Sequence, residues 1–77
     1  MQTYINVDII TNTPVYAGYQ KQQKRNLVKI PAYTKGKALV HVYDPEYNLE
    51  HYVVKLVINN VFYWTKLGKT TFDFLNE

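Results

Sequence analysis

Among its 77 residues the chain has no cysteine and no serine. Disulfides, thiolate metal sites and cysteine nucleophiles are thereby excluded, and so is a serine nucleophile. Glycine is scarce. Gly18, Gly36 and Gly68 stand too far apart to form a phosphate-cradling loop, and each reads as a turn. No apolar run exceeds a handful of residues, far short of the ~20 a membrane helix needs, so membrane insertion is not expected. Residues 1–20 lack the basic start and apolar middle of a secretory signal, which leaves an intracellular location open.

What is abundant is aromatic: eight tyrosines, three phenylalanines and a tryptophan. A chain this short builds one domain, 1–77, with a thin core, because small domains bury only about 60% of their unfolded surface. Large rings supply buried area without disulfide staples. Nine Lys and Arg against six Asp and Glu leave a net charge of +3, a mild bias towards polyanionic partners.

Apolar residues recur with period two almost throughout, the signature of half-buried strands. Ile5, Val7 and Ile9 alternate with Asn6 and Asp8, and Asn12-Thr13-Pro14 breaks the run. Val15-Tyr16-Ala17 forms a second strand, and the polar run 20–26 a surface loop. Val28, Ile30 and Ala32 alternate next, with Pro31 marking an edge. Thr34-Lys35-Gly36-Lys37 reads as a turn in which Gly36 supplies a positive φ. Ala38, Val40 and Val42 then alternate with Leu39, His41 and Tyr43, and Asp44 to Asn48 form a loop. Leu49 to Ile58 is the longest strand, with Tyr52, Val54, Leu56 and Ile58 on one face. Asn59-Asn60 fits a two-residue hairpin, Val61 to Leu67 returns, and Thr71 to Leu75 closes with Phe72 and Phe74 on one side. The fold class expected is all-β, a small antiparallel barrel or sandwich of six to seven short strands.

No catalytic constellation emerges, so the chain is read as a non-enzyme. His41, placed opposite the apolar set, and His51 would approach one another across paired strands. With Glu50 or Asp44 they still lack a full zinc ligand set at motif spacing. No metal and no cofactor is expected. What remains is a surface of tyrosines at 16, 19, 33, 43, 47 and 63 beside lysines at 29, 35, 37, 66 and 69. Rings next to ammonium groups suit two ligand classes. In polysaccharides or polyol phosphates, rings meet apolar faces and lysines meet phosphates. In single-stranded nucleic acid, bases stack on rings.

Three segments, "NTPVYAGY" (12–19), "AYTKGKALVHVY" (32–43) and "INNVFYWTKLGKTTFDFLN" (58–76), fall in a familiar order and spacing. Together they resemble the C-terminal cell-wall-binding domain of lactobacillar surface-layer proteins, the SLAP domain, over residues 7 to 76. Lys35-Gly36 and Val40 to Tyr43 are similar to its lysine-glycine turn and valine-x-valine-tyrosine strand. Tyr63-Trp64-Thr65-Lys66-Leu67-Gly68-Lys69 looks like a variant of its aromatic-basic hairpin arm. Trp64 and the additional Thr65 alter the spacing, and the charge is lower than the family's.

The resemblance implies an SH3-like barrel in the wall or surface layer outside a Gram-positive cell, attached through cell-wall polysaccharide or teichoic acid. Phe62 is placed in the core, facing Val54, Leu56 and Ile58. The ligand contacts are then Tyr63, Lys66 and Lys69, joined by Tyr16, Tyr33, Lys35, Lys37 and Tyr43. Two alternatives stay open: a protein–protein interaction module or small inhibitor, including self-association, and, ranked last, an intracellular nucleic-acid-binding barrel.

Overall fold

The computed structural model describes residues 1–19 and 27–75; the loop expected at 20–26 lies outside the described residues. The described residues form seven strands: β1 (Gln2–Thr11), β2 (Val15–Tyr19), β3 (Leu27–Ile30), β4 (Lys35–Asp44), β5 (Leu49–Ile58), β6 (Val61–Leu67) and β7 (Phe72–Phe74). A 3₁₀ turn, Lys69–Thr71, precedes β7. All neighbours pair antiparallel in one sheet of order β3-β2-β6-β5-β4-β1-β7, which curls into a barrel-like shape. The all-β expectation holds, with seven strands.

The curl puts one face inside. Ile9, Ala17, Ile30, Ala38, Val54 and Leu56 are wholly buried there, with Val15, Tyr52, Leu67 and Phe72 almost so. These are apolar residues at alternate positions, most of them β-branched or aromatic, which is what a strand with one wet face selects. Tyr52 meets Phe72 and Phe74 edge-on at centroid distances of 5.3 and 5.7 Å, and the two phenylalanines meet at 5.2 Å. The expectation that Phe72 and Phe74 share a side is correct.

Thr11 ties the curl together where β1 ends. It is fully buried, yet its hydroxyl accepts a hydrogen bond from the Thr34 amide at 2.9 Å and donates to the Pro31 carbonyl at 3.4 Å. Its backbone pairs with the same loop: Thr11 N–H donates to the Thr34 carbonyl at 3.0 Å, and Tyr33 N–H donates to the Thr11 carbonyl at 2.8 Å. A buried polar side chain is tolerated because its partners are present.

The turns follow the asparagines. Asn59 and Asn60 hold φ of 51° and 66°, as a type I′ hairpin requires, and Asn48 holds 53° in the β4–β5 connection. There the Asp44 carboxylate accepts from the Glu46 amide at 3.0 Å.

Two local expectations fail. Gly18 and Gly36 are no turn glycines: they lie within β2 and β4, and no described glycine has positive φ. The chain reverses three residues before Gly36, where Tyr33 takes φ 65°. Gly36 is needed for close approach instead, since a Cβ there would stand 2.2 Å from the Lys55 carbonyl oxygen. The second failure is the alternation along β4. Ala38 pairs with Val54, but Val40 pairs with Val53, so an extra residue at Leu39 bulges the strand. A one-residue bulge turns every later side chain to the opposite face. Val40 and Val42 therefore point outward with Val53 and His51, while His41 and Tyr43 turn inward with Tyr52 and Glu50.

Candidate ligand-binding face

Directly paired residues share a face, so the register fixes what lies outside. On β5 the outer residues are Val53, Lys55 and Val57. Across the hairpin they pair with Lys66, Trp64 and Phe62. On the other side, Lys37 of β4 pairs with Lys55 and Val40 with Val53; Lys35 lies two residues from Lys37 on the same face. The centre of the outer face is thus three adjacent strands carrying Lys35, Lys37 and Val40, then Val57, Lys55 and Val53, then Phe62, Trp64 and Lys66.

Lys55 sits at the middle of that grid. Its ammonium lies 4.5 Å from the centroid of the Phe62 ring, and Phe62 is itself 48% exposed. A cation over a ring at an exposed site gains about 0.5–1 kcal/mol. Lys37 pairs with Asp8 at 3.0 Å, both largely exposed, a contact contributing no more than about 1 kcal/mol. Among the described residues no carboxylate lies within ion-pair distance of Lys35, Lys55 or Lys66. The outward carboxylates lie beside this grid: Asp8 on β1, paired with Lys37, Asp73 on the edge strand β7, and Asp44 where β4 ends. Beyond β6 the sheet continues into β2. Gly18 pairs with Trp64, and Tyr16, 59% exposed, lies two residues further along on the same face.

Of the residues the sequence singled out, the fold collects Tyr16, Lys29, Lys35, Lys37 and Lys66 on this outer face. It does not bring Tyr33, Tyr43, Tyr63 and Lys69 there. Tyr63 pairs with Leu56 and packs against the core, so its placement on the surface is corrected. Phe62, placed in the core, is exposed on the outer face. The two are exchanged because a two-residue turn at Asn59-Asn60 pairs Leu56 with Tyr63 and Val57 with Phe62. Tyr43 turns inward after the bulge, and its hydroxyl donates to the Asn48 side-chain oxygen at 3.2 Å. Tyr33 is exposed in the loop before β4, and Lys69 stands in the 3₁₀ turn. Lys55, Phe62 and Trp64 were missed, although the period-two pattern of β5 already set Lys55 opposite Tyr52, Val54 and Leu56.

The histidines are also corrected. Rather than lying opposite the apolar set, His41 stacks on the Tyr52 ring at 4.6 Å and bonds the Glu50 carboxylate. His51 pairs with the outward Val42, so the two imidazoles lie on opposite faces and cannot share a metal ion. Burial, and after it the nearby Glu50 carboxylate, raises the Tyr52 hydroxyl above its ordinary pKa. No cluster of three His, Cys, Asp or Glu suited to a metal occurs among the described residues, and no helix there is long and apolar enough to cross a membrane.

Comparison of the chain with protein-family models, with curated proteins and with solved structures finds no match.

Proposed function

We propose that this chain is a non-catalytic binding module that holds a surface protein to the Gram-positive cell wall, its lysines taking the phosphates of teichoic acid. The observation that carries the reading is the outer face. Lys35, Lys37, Lys55 and Lys66 converge with Phe62 and Trp64 on three adjacent strands, and among the described residues the one carboxylate paired with these lysines is Asp8, on Lys37. Ammonium groups on flexible stems meet phosphates as point charges, without demanding one fixed geometry. The exposed Phe62 ring and the half-buried Trp64 beside them favour a ligand with apolar C–H faces as well as charge. The sequence resemblance to lactobacillar wall-binding domains supplies the source of such a polymer, and the location outside the cell follows from it.

The test is a pull-down of the purified chain on intact Gram-positive walls, before and after extraction of teichoic acids. Capture should fall at least tenfold on extraction and weaken as salt rises, since exposed charges are screened within about 8 Å at physiological ionic strength. Capture that survives extraction would move the ligand to the glycan. No capture at all would refute the reading.

A further inference from the structure

We infer that the polymer crosses the sheet on a diagonal, from Lys66 on β6 over Lys55 on β5 to Lys37 on β4, and that Asp8 holds the last of these contacts in check. The inference rests on the wall-polymer reading and adds its path, its central contact and its limiting residue. Lys55 pairs directly with Lys37, and Lys66 stands one step along the neighbouring strand from Trp64, the residue opposite Lys55. Three cations therefore form a continuous stripe over three strands about 4.8 Å apart. Val57, Phe62 and Trp64 lie on one side of the stripe; Val40 and Val53 lie on the other, with Tyr4 beyond them on β1.

That arrangement fits a chain of phosphodiesters joined by polyol or sugar units. Phosphates sit on the stripe, and the C–H faces of the linking units rest on the ring corner. Like charges directly opposite on neighbouring strands repel. Lys37 and Lys55 are such a pair, and among the described residues only Lys37 has a carboxylate, Asp8, to offset it. A phosphate between the two lysines would relieve the repulsion, and it competes with Asp8 for Lys37.

The experiment is a titration with poly(glycerol phosphate) of defined length at two salt concentrations, using the whole chain and single variants checked for an unchanged melting curve. Lys55→Gln should weaken binding about tenfold, as loss of a charge-assisted contact does. Lys69→Gln removes the same charge from the 3₁₀ turn and should cost less than about twofold. Asp8→Asn should tighten binding about threefold by releasing Lys37. Inorganic polyphosphate with the same number of phosphates should bind about fivefold more weakly, because it offers the rings nothing.

If the wild-type chain binds but Lys69→Gln costs as much as Lys55→Gln, the path is overturned while the wall-polymer reading stands. Asp8→Asn binding no tighter than wild type overturns the role of Asp8, and equal affinity for polyphosphate overturns the ring corner. A wild-type chain that does not bind poly(glycerol phosphate) overturns the inference together with the reading beneath it.

Discussion

Replacing Gly36 by alanine should lower the free energy of unfolding by about 3 kcal/mol, a large part of what a domain of this size has. The added Cβ would stand 2.2 Å from the Lys55 carbonyl oxygen, 2.8 Å from a Leu56 methyl and 3.0 Å from the Leu56 Cα. The Leu56 methyl can rotate away. The carbonyl and the Cα belong to the backbone of the paired strand and cannot, so the β4–β5 ladder itself must open. Those two strands also carry Ala38, Val54 and Leu56, all wholly buried, so a shift there disturbs the centre of the core. Gly68 is the contrast. Nothing lies within 4 Å of a Cβ built on it, and its φ of −77° suits any residue. Gly68→Ala should therefore leave stability within about 1 kcal/mol of wild type, on the stabilising side if anything. Urea unfolding of the two variants side by side reads both outcomes. A Gly36→Ala protein as stable as Gly68→Ala would show that β4 and β5 are not packed this closely.

Reversing charge at Lys55 and Lys66 together should abolish binding to an anionic polymer, by about a hundredfold or more, with no comparable loss of stability. The double Glu variant exchanges two cations at the middle of the outer face for two anions. Both positions face away from the core, and outward substitutions of this kind usually change stability by no more than about 0.5 kcal/mol. Lys55→Glu also forfeits the contact with Phe62, a cation–π term of about 0.5–1 kcal/mol. The melting curve and the binding isotherm of the same preparation separate the two effects. Retained affinity in a folded double variant would remove the outer face from consideration.

Much of this architecture was legible in the residues. The β-branched alternation of β5 and the Asn59-Asn60 hairpin were both readable, because side-chain period and left-handed turn residues are local properties. The same two facts already decided which aromatic turns inward. A two-residue turn pairs Ile58 with Val61, hence Leu56 with Tyr63, and the buried face of β5 carries Tyr63 with it. The same register pairs Phe62 with Val57 and so turns it outward. The bulge at Leu39 was different in kind. It is set by how β4 fits between two partner strands, and no residue near it announces an extra position. Its consequence, the inward turn of His41 and Tyr43, was correspondingly out of reach. Gly36 shows a third kind of miss. Its neighbours Lys35 and Lys37 suggested a turn, whereas the demand on it comes from Lys55 and Leu56, distant in sequence. The candidate face inherits these differences: Lys35, Lys37, Lys66 and Tyr16 were visible as exposed polar or amphipathic positions, while Lys55, Phe62 and Trp64 became its centre only once the hairpin register was fixed.

The account stands or falls on which face meets the ligand. The most direct measurement is an amide ¹H–¹⁵N chemical-shift map of the chain titrated with poly(glycerol phosphate). It should place the largest shifts on the three outer-face segments, around Lys35 and Lys37, Val53 to Val57, and Phe62 to Lys66. Shifts gathered instead at Tyr33, Tyr43 and Lys69, with the β5–β6 hairpin silent, would contradict it.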